Sequence, residues 1–142
     1  MARHRGPRTV QCYLCRHRFQ VAGRAQSTSC PGCHKPVIVG DVVVNQLKPV
    51  KEVRTCGRIV VKRRGRIIAD LVEAHVGIEC LGTIDAKKVV AGPVLIGSRA
   101  TWKGDCHALS LSIRLGARIN GGRFFVPDDS LNLADLLAQD TM

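Results

Sequence analysis

Apolar residues in this chain recur in alternating pairs rather than at helical spacing. Ile59-x-Val61 is followed by Gly65, Ile67 and Ala69, and Val76-x-Ile78 by Gly82, Ile84 and Ala86. Val94-x-Ile96 then leads to Ala100, Trp102 and Gly104, and Leu111-x-Ile113 to Ala117, Ile119 and Gly121. The copies start at 59, 76, 94 and 111, steps of 17, 18 and 17 residues, and a weaker copy with Val42, Val44 and Val50 lies 17 residues earlier. Strand side chains point alternately to opposite faces, so each pair places two residues on one inner face. The Gly or Ala six places on marks a corner too tight for a bulky side chain. A looser third side holds Leu71 and Ala74, Val89 and Ala91, Cys106 and Ala108, then Phe124 and Val126. Three such sides make one triangular turn of a parallel β-helix, stacked on the next at the strand spacing of about 4.8 Å. One turn cannot bury its own inner face, so the turns are stable only as an array. An antiparallel sandwich or barrel would need hairpin turns between strands. Only Asn120-Gly121 fits, and it lies inside the repeat. The pattern predicts an all-β fold with a parallel β-helix over residues 41–126, at about 17–18 residues per turn.

The first forty residues read differently. They are polar and broken by Pro7, Gly23, Pro31, Gly32 and Pro36. Cys12-Tyr-Leu-Cys15 and Cys30-Pro-Gly-Cys33 stand fourteen residues apart, and each pair suits a tight turn that aims two thiolates at one ion. Zinc favours four soft ligands in a tetrahedron. A segment this short cannot bury enough surface to fold unaided, and metal ligation supplies what the core lacks. The spacing predicts a zinc ribbon over residues 10–40, holding one structural Zn2+ on Cys12, Cys15, Cys30 and Cys33. Phe19 and Val21 form its small apolar centre, and residues 1–9 form a basic flexible tail. A redox dithiol would use one pair and leave the other idle. His17 and His34 read as neighbours of the site, since four cysteines already complete it.

Composition narrows the setting. Seven cysteines, an odd number, argue against a closed disulfide framework and for a reducing cytoplasm. The longest apolar stretch, Val89 to Ile96, falls short of the roughly 20 residues a membrane helix needs, and no apolar signal segment follows Met1. The formal charge of +11 is unevenly spread: residues 1–40 carry seven bases and no acid, residues 127–142 four Asp and no base. The basic head makes Arg3, Arg5, Arg8, Arg16, Arg18 and Arg24 candidate polyanion contacts. Lys62-Arg63-Arg64-Gly65-Arg66 reads as a solvated corner. In the acidic tail an Asp or Ser can cap a short helix with Leu133, Leu136 and Leu137 on one face.

The repeat from about Val53 to Val126 resembles the bactofilin family of polymer-forming bacterial cytoskeletal proteins. The residues that carry the likeness are the Val/Ile-x-Ile/Val-x-x-x-Gly-x-Ile-x-Ala/Gly units, the stretch from Ala100 to Cys106, and the closing Leu115 to Gly121. The resemblance implies a right-handed β-helix that polymerises end to end, without nucleotide, into non-polar filaments. It also implies scaffolding work, with association at the inner face of the membrane in some settings. The ribbon departs from the family pattern and suggests a head that binds a partner of its own.

Functional expectations follow. A parallel β-helix has two open ends with unpaired backbone groups, ready templates for another chain. Phe124, Phe125 and Val126 at one end, and Val42 and Val44 at the other, are the candidate polymerisation interface. No enzyme is expected. The acids show no tight pair, His75 and His107 read as surface imidazoles, and Cys56, Cys80 and Cys106 read as small buried apolar groups. The second reading is a zinc-ribbon adaptor or nucleic-acid binder that uses the β-helix to oligomerise. No small-molecule substrate and no transmembrane segment are expected.

Overall fold

The computed structural model describes residues 6–126. Arg3, Arg5 and the acidic segment 127–142, with its expected helix, lie outside the described residues. The described chain is all-β, with no helix. Two short antiparallel hairpins come first: β1 (Arg8–Gln11) with β2 (Arg18–Val21), and β3 (Ser27–Ser29) with β4 (Pro36–Ile38). Strand β1 begins at Arg8, inside the stretch expected to be a free tail.

A parallel solenoid of five coils follows. The first coil is β5 (Val42–Val44), β6 (Leu47–Pro49) and β7 (Glu52–Thr55), and the second is β8 (Arg58–Val61) and β9 (Arg66–Ala74). The third joins β10 (Gly77–Cys80) to most of β11 (Thr83–Ile96). The fourth runs from the end of β11 into β12 (Thr101–Ile113), and the fifth adds β13 (Arg118–Gly121) and β14 (Phe124–Phe125) to the end of β12. Every pairing between coils is parallel.

Like residues stack in columns. The first face aligns Val42, Ile59, Ile78, Val94 and Leu111. The second aligns Lys48, Ile67, Ile84, Trp102 and Ile119, and the third Val53, Val72, Val89, Cys106 and Phe124. Apart from Lys48 and Ile119, these columns belong to one continuous core, in which Ile59, Ile67, Ile84, Val89 and Trp102 are fully buried. Each buried aliphatic side chain contributes about 1.5–3 kcal/mol. Trp102 satisfies its indole by donating Nε1–H to the Gly104 carbonyl at 3.1 Å.

The expected corner column of Gly65, Gly82, Ala100 and Ala117 is present. The Thr83, Thr101 and Arg118 amides bond to the Gly65, Gly82 and Ala100 carbonyls. A Cβ at Gly65 would overlap the Val44 carbonyl oxygen, which is why the position excludes a larger residue. The first-face register differs from the expected one. Val76 is exposed, and Ile78 and Cys80 stand beside Ile59 and Val61. The reason is corner length: residues 62–65 turn the chain after β8, whereas 81–82 suffice after β10. For the same reason Lys48, not Val50, aligns with Ile67. On the third side Val72, not Leu71, points inward.

Candidate metal centre

The two hairpins place the cysteines by repeating one local design. Each Cys-x-x-Cys forms the turn of its hairpin. Arg16 N–H bonds to the Cys12 carbonyl at 2.8 Å, and His34 N–H to the Cys30 carbonyl at 2.7 Å. Cys12 and Cys30 close their turns by donating to the His17 and Lys35 carbonyls, at 2.9 and 3.0 Å. The residue after each second cysteine is left-handed, Arg16 at φ 65° and His34 at φ 62°. Leu14 N–H and Gly32 N–H point at the Cys12 and Cys30 sulfurs, both at 3.3 Å. Such donors stabilise sulfur in its thiolate form.

All four Sγ atoms lie within 4.8 Å of one another, with Cys12 and Cys33 3.9 Å apart and Cys15 and Cys30 3.5 Å apart. Ligands about 2.3 Å from a tetrahedral zinc ion stand about 3.8 Å apart, so the spacing fits a single ion. Burial opposes charge on Cys30. The Cys33 and Gly32 amides and the Cys15 and Cys12 thiols outweigh it and bring that thiol down to about 7. The His17 amide favours the Cys15 thiolate. Burial and hydrogen bonds to Cys30, Cys12 and Cys33 reverse this and push Cys15 up to about 12. Four thiols this close share protons and cannot all ionise together without a cation among them. The cluster can bind a metal ion.

The ribbon core holds Val10, Cys12, Val21, Cys30, Val37 and Val39, with Phe19 packed against it. His17 stacks on Phe19 at 6.1 Å, and both it and His34 stay outside the thiol cluster. Cys56, from the solenoid, completes this core. The seam is polar and specific. Cys56 N–H donates to the Ile38 carbonyl at 2.9 Å, and the Thr55 hydroxyl donates to the Gly40 carbonyl. Tyr13, within the first Cys-x-x-Cys, accepts Arg54 Nη2–H on its carbonyl at 2.8 Å and carries that guanidinium over its ring at 4.8 Å. Burial raises the Tyr13 phenol above its ordinary 10. Arg54 pairs with Glu73 at 2.9 Å, and His75 Nε2 meets the other Glu73 oxygen at 2.7 Å. Glu73 is only 2% exposed.

This network was not read from the sequence. The signal is that Arg54 and Glu73 align on the outward column of the third side, which is visible only once the register is known. His75, expected at the surface, has a nearly buried side chain. Cys56, Cys80 and Cys106 are buried, as expected.

The other expected residues fall in different places. Arg8 spends its guanidinium on the Gly23 and Ala25 carbonyls, at 3.3 and 2.9 Å. Arg16, Arg18 and Arg24 are exposed on the ribbon. Val44 is buried in the first coil and Val42 packs against the same core. Phe124 packs on the core beside Trp102, with ring centroids 5.9 Å apart. Phe125 is exposed and stacks on His107 at 4.5 Å, and Val126 is exposed beyond it. No helix among the described residues is long and apolar enough to cross a membrane. No protein family, curated protein or solved structure matches this chain.

Proposed function

We propose that this chain is a non-enzymatic scaffold of the bacterial cytoplasm, of the kind the bactofilin resemblance implies. It assembles end to end through its solenoid without nucleotide. In this reading Zn2+ occupies the four-cysteine cluster as a structural ion, and the ribbon is a head that binds a partner.

One observation carries the reading: both terminal coils leave their outer strand edges unpaired, and the last coil also leaves inward-register apolar side chains uncovered. In the first coil the inward Val44 and Val53 are 3% and 5% exposed. In the last coil the inward-register Ile113 and Ile119 are 48% and 39% exposed, and Val126 is 47% exposed. Among the described residues β13 and β14 pair only with β12, β5 only with β8, and β6 and β7 only with β9, so no strand covers the outer edge of either terminal coil. Apolar core together with unpaired backbone is a template for strand addition.

The test is sedimentation velocity and negative-stain microscopy of the zinc-loaded chain in nucleotide-free buffer. Wild type is expected to form assemblies, and Phe125→Arg and Ile119→Arg to yield short or monomeric species with an unchanged β signal. Both sites are exposed, so charge there blocks the end without emptying the core. Phe124→Arg probes the core instead. Normal assemblies from both exposed-site variants would contradict the reading.

A further inference from the structure

The three edges of the solenoid differ sharply in charge. The edge between the second and third faces alternates in sign, through Lys51, Asp70, Lys87, Asp105 and Arg123. Asp70 and Lys87 meet there at 3.5 Å, and Asp105 accepts the Arg123 N–H at 3.0 Å. The edge between the third and first faces passes through Cys56-Gly57, His75-Val76 and Gly92, carries no acid or lysine, and is partly covered by the ribbon.

The edge between the first and second faces carries basic charge only. Residues 62–65, 97–100 and 114–117 make four-residue turns, closed by bonds from Gly65, Ala100 and Ala117 N–H to the Lys62, Gly97 and Arg114 carbonyls. Lys62, Arg63 and Arg64 occupy the first turn, Arg99 the second and Arg114 the third. Arg66 and Arg118 begin the strands that leave the first and third turns, on the outward column of the second face. All seven are exposed, and none is ion-paired to a described residue. No acid lies in any turn of this edge, including 45–46 and 81–82. The turns are locked in line by coil-to-coil bonds, Lys62 N–H to the Val44 carbonyl, Leu81 to Val61, Gly97 to Cys80 and Arg114 to Ile96. Three coil steps separate the first basic turn from the last, a straight line of about 14 Å.

We infer that this edge is a phosphate-binding ridge whose ligand is double-stranded nucleic acid, held through its backbone and without sequence readout. Seven like charges fixed on a rigid ridge repel one another, and a polyanion relieves that repulsion while releasing its own counterions. Six of the seven are Arg, whose planar fork matches phosphate oxygens in pairs. A duplex carries phosphates along both rims of each groove, so several fall within the length of the ridge. A convex ridge meets the two phosphate rims of a groove on both its flanks, whereas it meets a flat bilayer along one line only. Its exposed large apolar residues, Leu47 in the first coil and Ile113 and Leu115 in the last, stand at opposite ends and form no continuous face of the kind interfacial binding needs. No aromatic ring stands on it to stack single-stranded bases. The inference is independent of the assembly reading, and it assigns the contact to the solenoid rather than to the ribbon arginines.

The experiment is fluorescence anisotropy of the full zinc-loaded chain with an arbitrary duplex DNA of about 30 bp, from about 50 to about 200 mM salt. Binding is expected at low salt, with log K falling against log salt at a slope of roughly −4 or steeper. Arg64→Glu/Arg99→Glu is expected to weaken binding by at least about tenfold and to reduce that slope by about two. Lys51→Glu/Lys87→Glu, which makes the same change in net charge on the mixed edge, is expected to cost less than about threefold. All four sites are exposed, and an unchanged β signal checks the fold. The inference is overturned by any of four results. The duplex does not bind at low salt, or the two double variants lose equally. Alternatively, Arg16→Glu/Arg18→Glu/Arg24→Glu abolishes binding while the ridge variant leaves it intact. Finally, the ridge variant affects binding only to phosphatidylserine vesicles and not to DNA.

Discussion

Arg16 and His34 sit where an L side chain pays for its Cβ, left-handed at φ 65° and 62°, because each must turn the chain directly after a metal-site cysteine. The left-handed conformation costs a non-glycine residue about 1–2 kcal/mol, and glycine returns part of that gain through its looser unfolded state. Arg16→Gly/His34→Gly is therefore expected to stabilise the protein by about 1 kcal/mol, read as roughly 2–4 °C in Tm. An unchanged or lower Tm would show that the two side chains contribute more than their backbone strain costs. A second residue-scale effect concerns the solenoid thiols. Burial pushes Cys80 and Cys106 up to about 12 from an ordinary 9. Their folded-state pKa is raised, so their contribution is fully present below pH 9. It is lost as pH rises from 9 towards 12, because the unfolded chain ionises first. Denaturant midpoints should fall over that range, and Cys80→Ala/Cys106→Ala should fall less steeply despite starting lower. Parallel curves for the two proteins would remove the thiols as the cause.

At the scale of elements, the metal turn and the solenoid act as one unit through Glu73. The carboxylate is held by Arg54 and His75, and Arg54 in turn holds Tyr13 between the first two cysteines. Removing one partner of a buried ion pair leaves an uncompensated charge, a loss of about 3–5 kcal/mol, reduced here because Arg54 is partly exposed. Arg54→Ala is expected to destabilise the chain by about 2–3 kcal/mol in urea unfolding, while metal content by mass spectrometry stays equal to that of the wild type. A loss below about 0.5 kcal/mol would mean that water replaces Arg54 at no cost, and the seam would then rest on Cys56 and the backbone bonds. This network also marks the limit of what the sequence discloses. Four thiolates at Cys-x-x-Cys spacing announce themselves because the ligand chemistry demands that local pattern. The pairing of Arg54 with Glu73 spans a coil whose length differs from its neighbours, so no local pattern announces it.

For the whole molecule, the three-sided solenoid was legible because its tightest constraint is also its most regular. Backbones approach so closely at Gly65 and Gly82 that only a residue without a Cβ fits, and Ala100 and Ala117 continue the column. The first-face register was not legible there, because corners of four and of two residues shift Ile78 and Cys80 against Ile59 and Val61 without disturbing the glycine column. The same limit hid the basic ridge. Lys62-Arg63-Arg64 stands out alone in the sequence, but Arg99, Arg114 and Arg118 join it only when the coils are stacked. The last coil presents Ile113, Ile119, Phe125 and Val126 beside an unpaired strand edge. That exposed end is the centre of the account, and hydrogen–deuterium exchange across about a hundredfold range of protein concentration tests it most directly. If the chain assembles through this end, the amides of 118–125 gain protection as concentration rises, while those of β1 to β4 do not. Exchange at 118–125 that is independent of concentration, in a protein that nonetheless assembles, would contradict it.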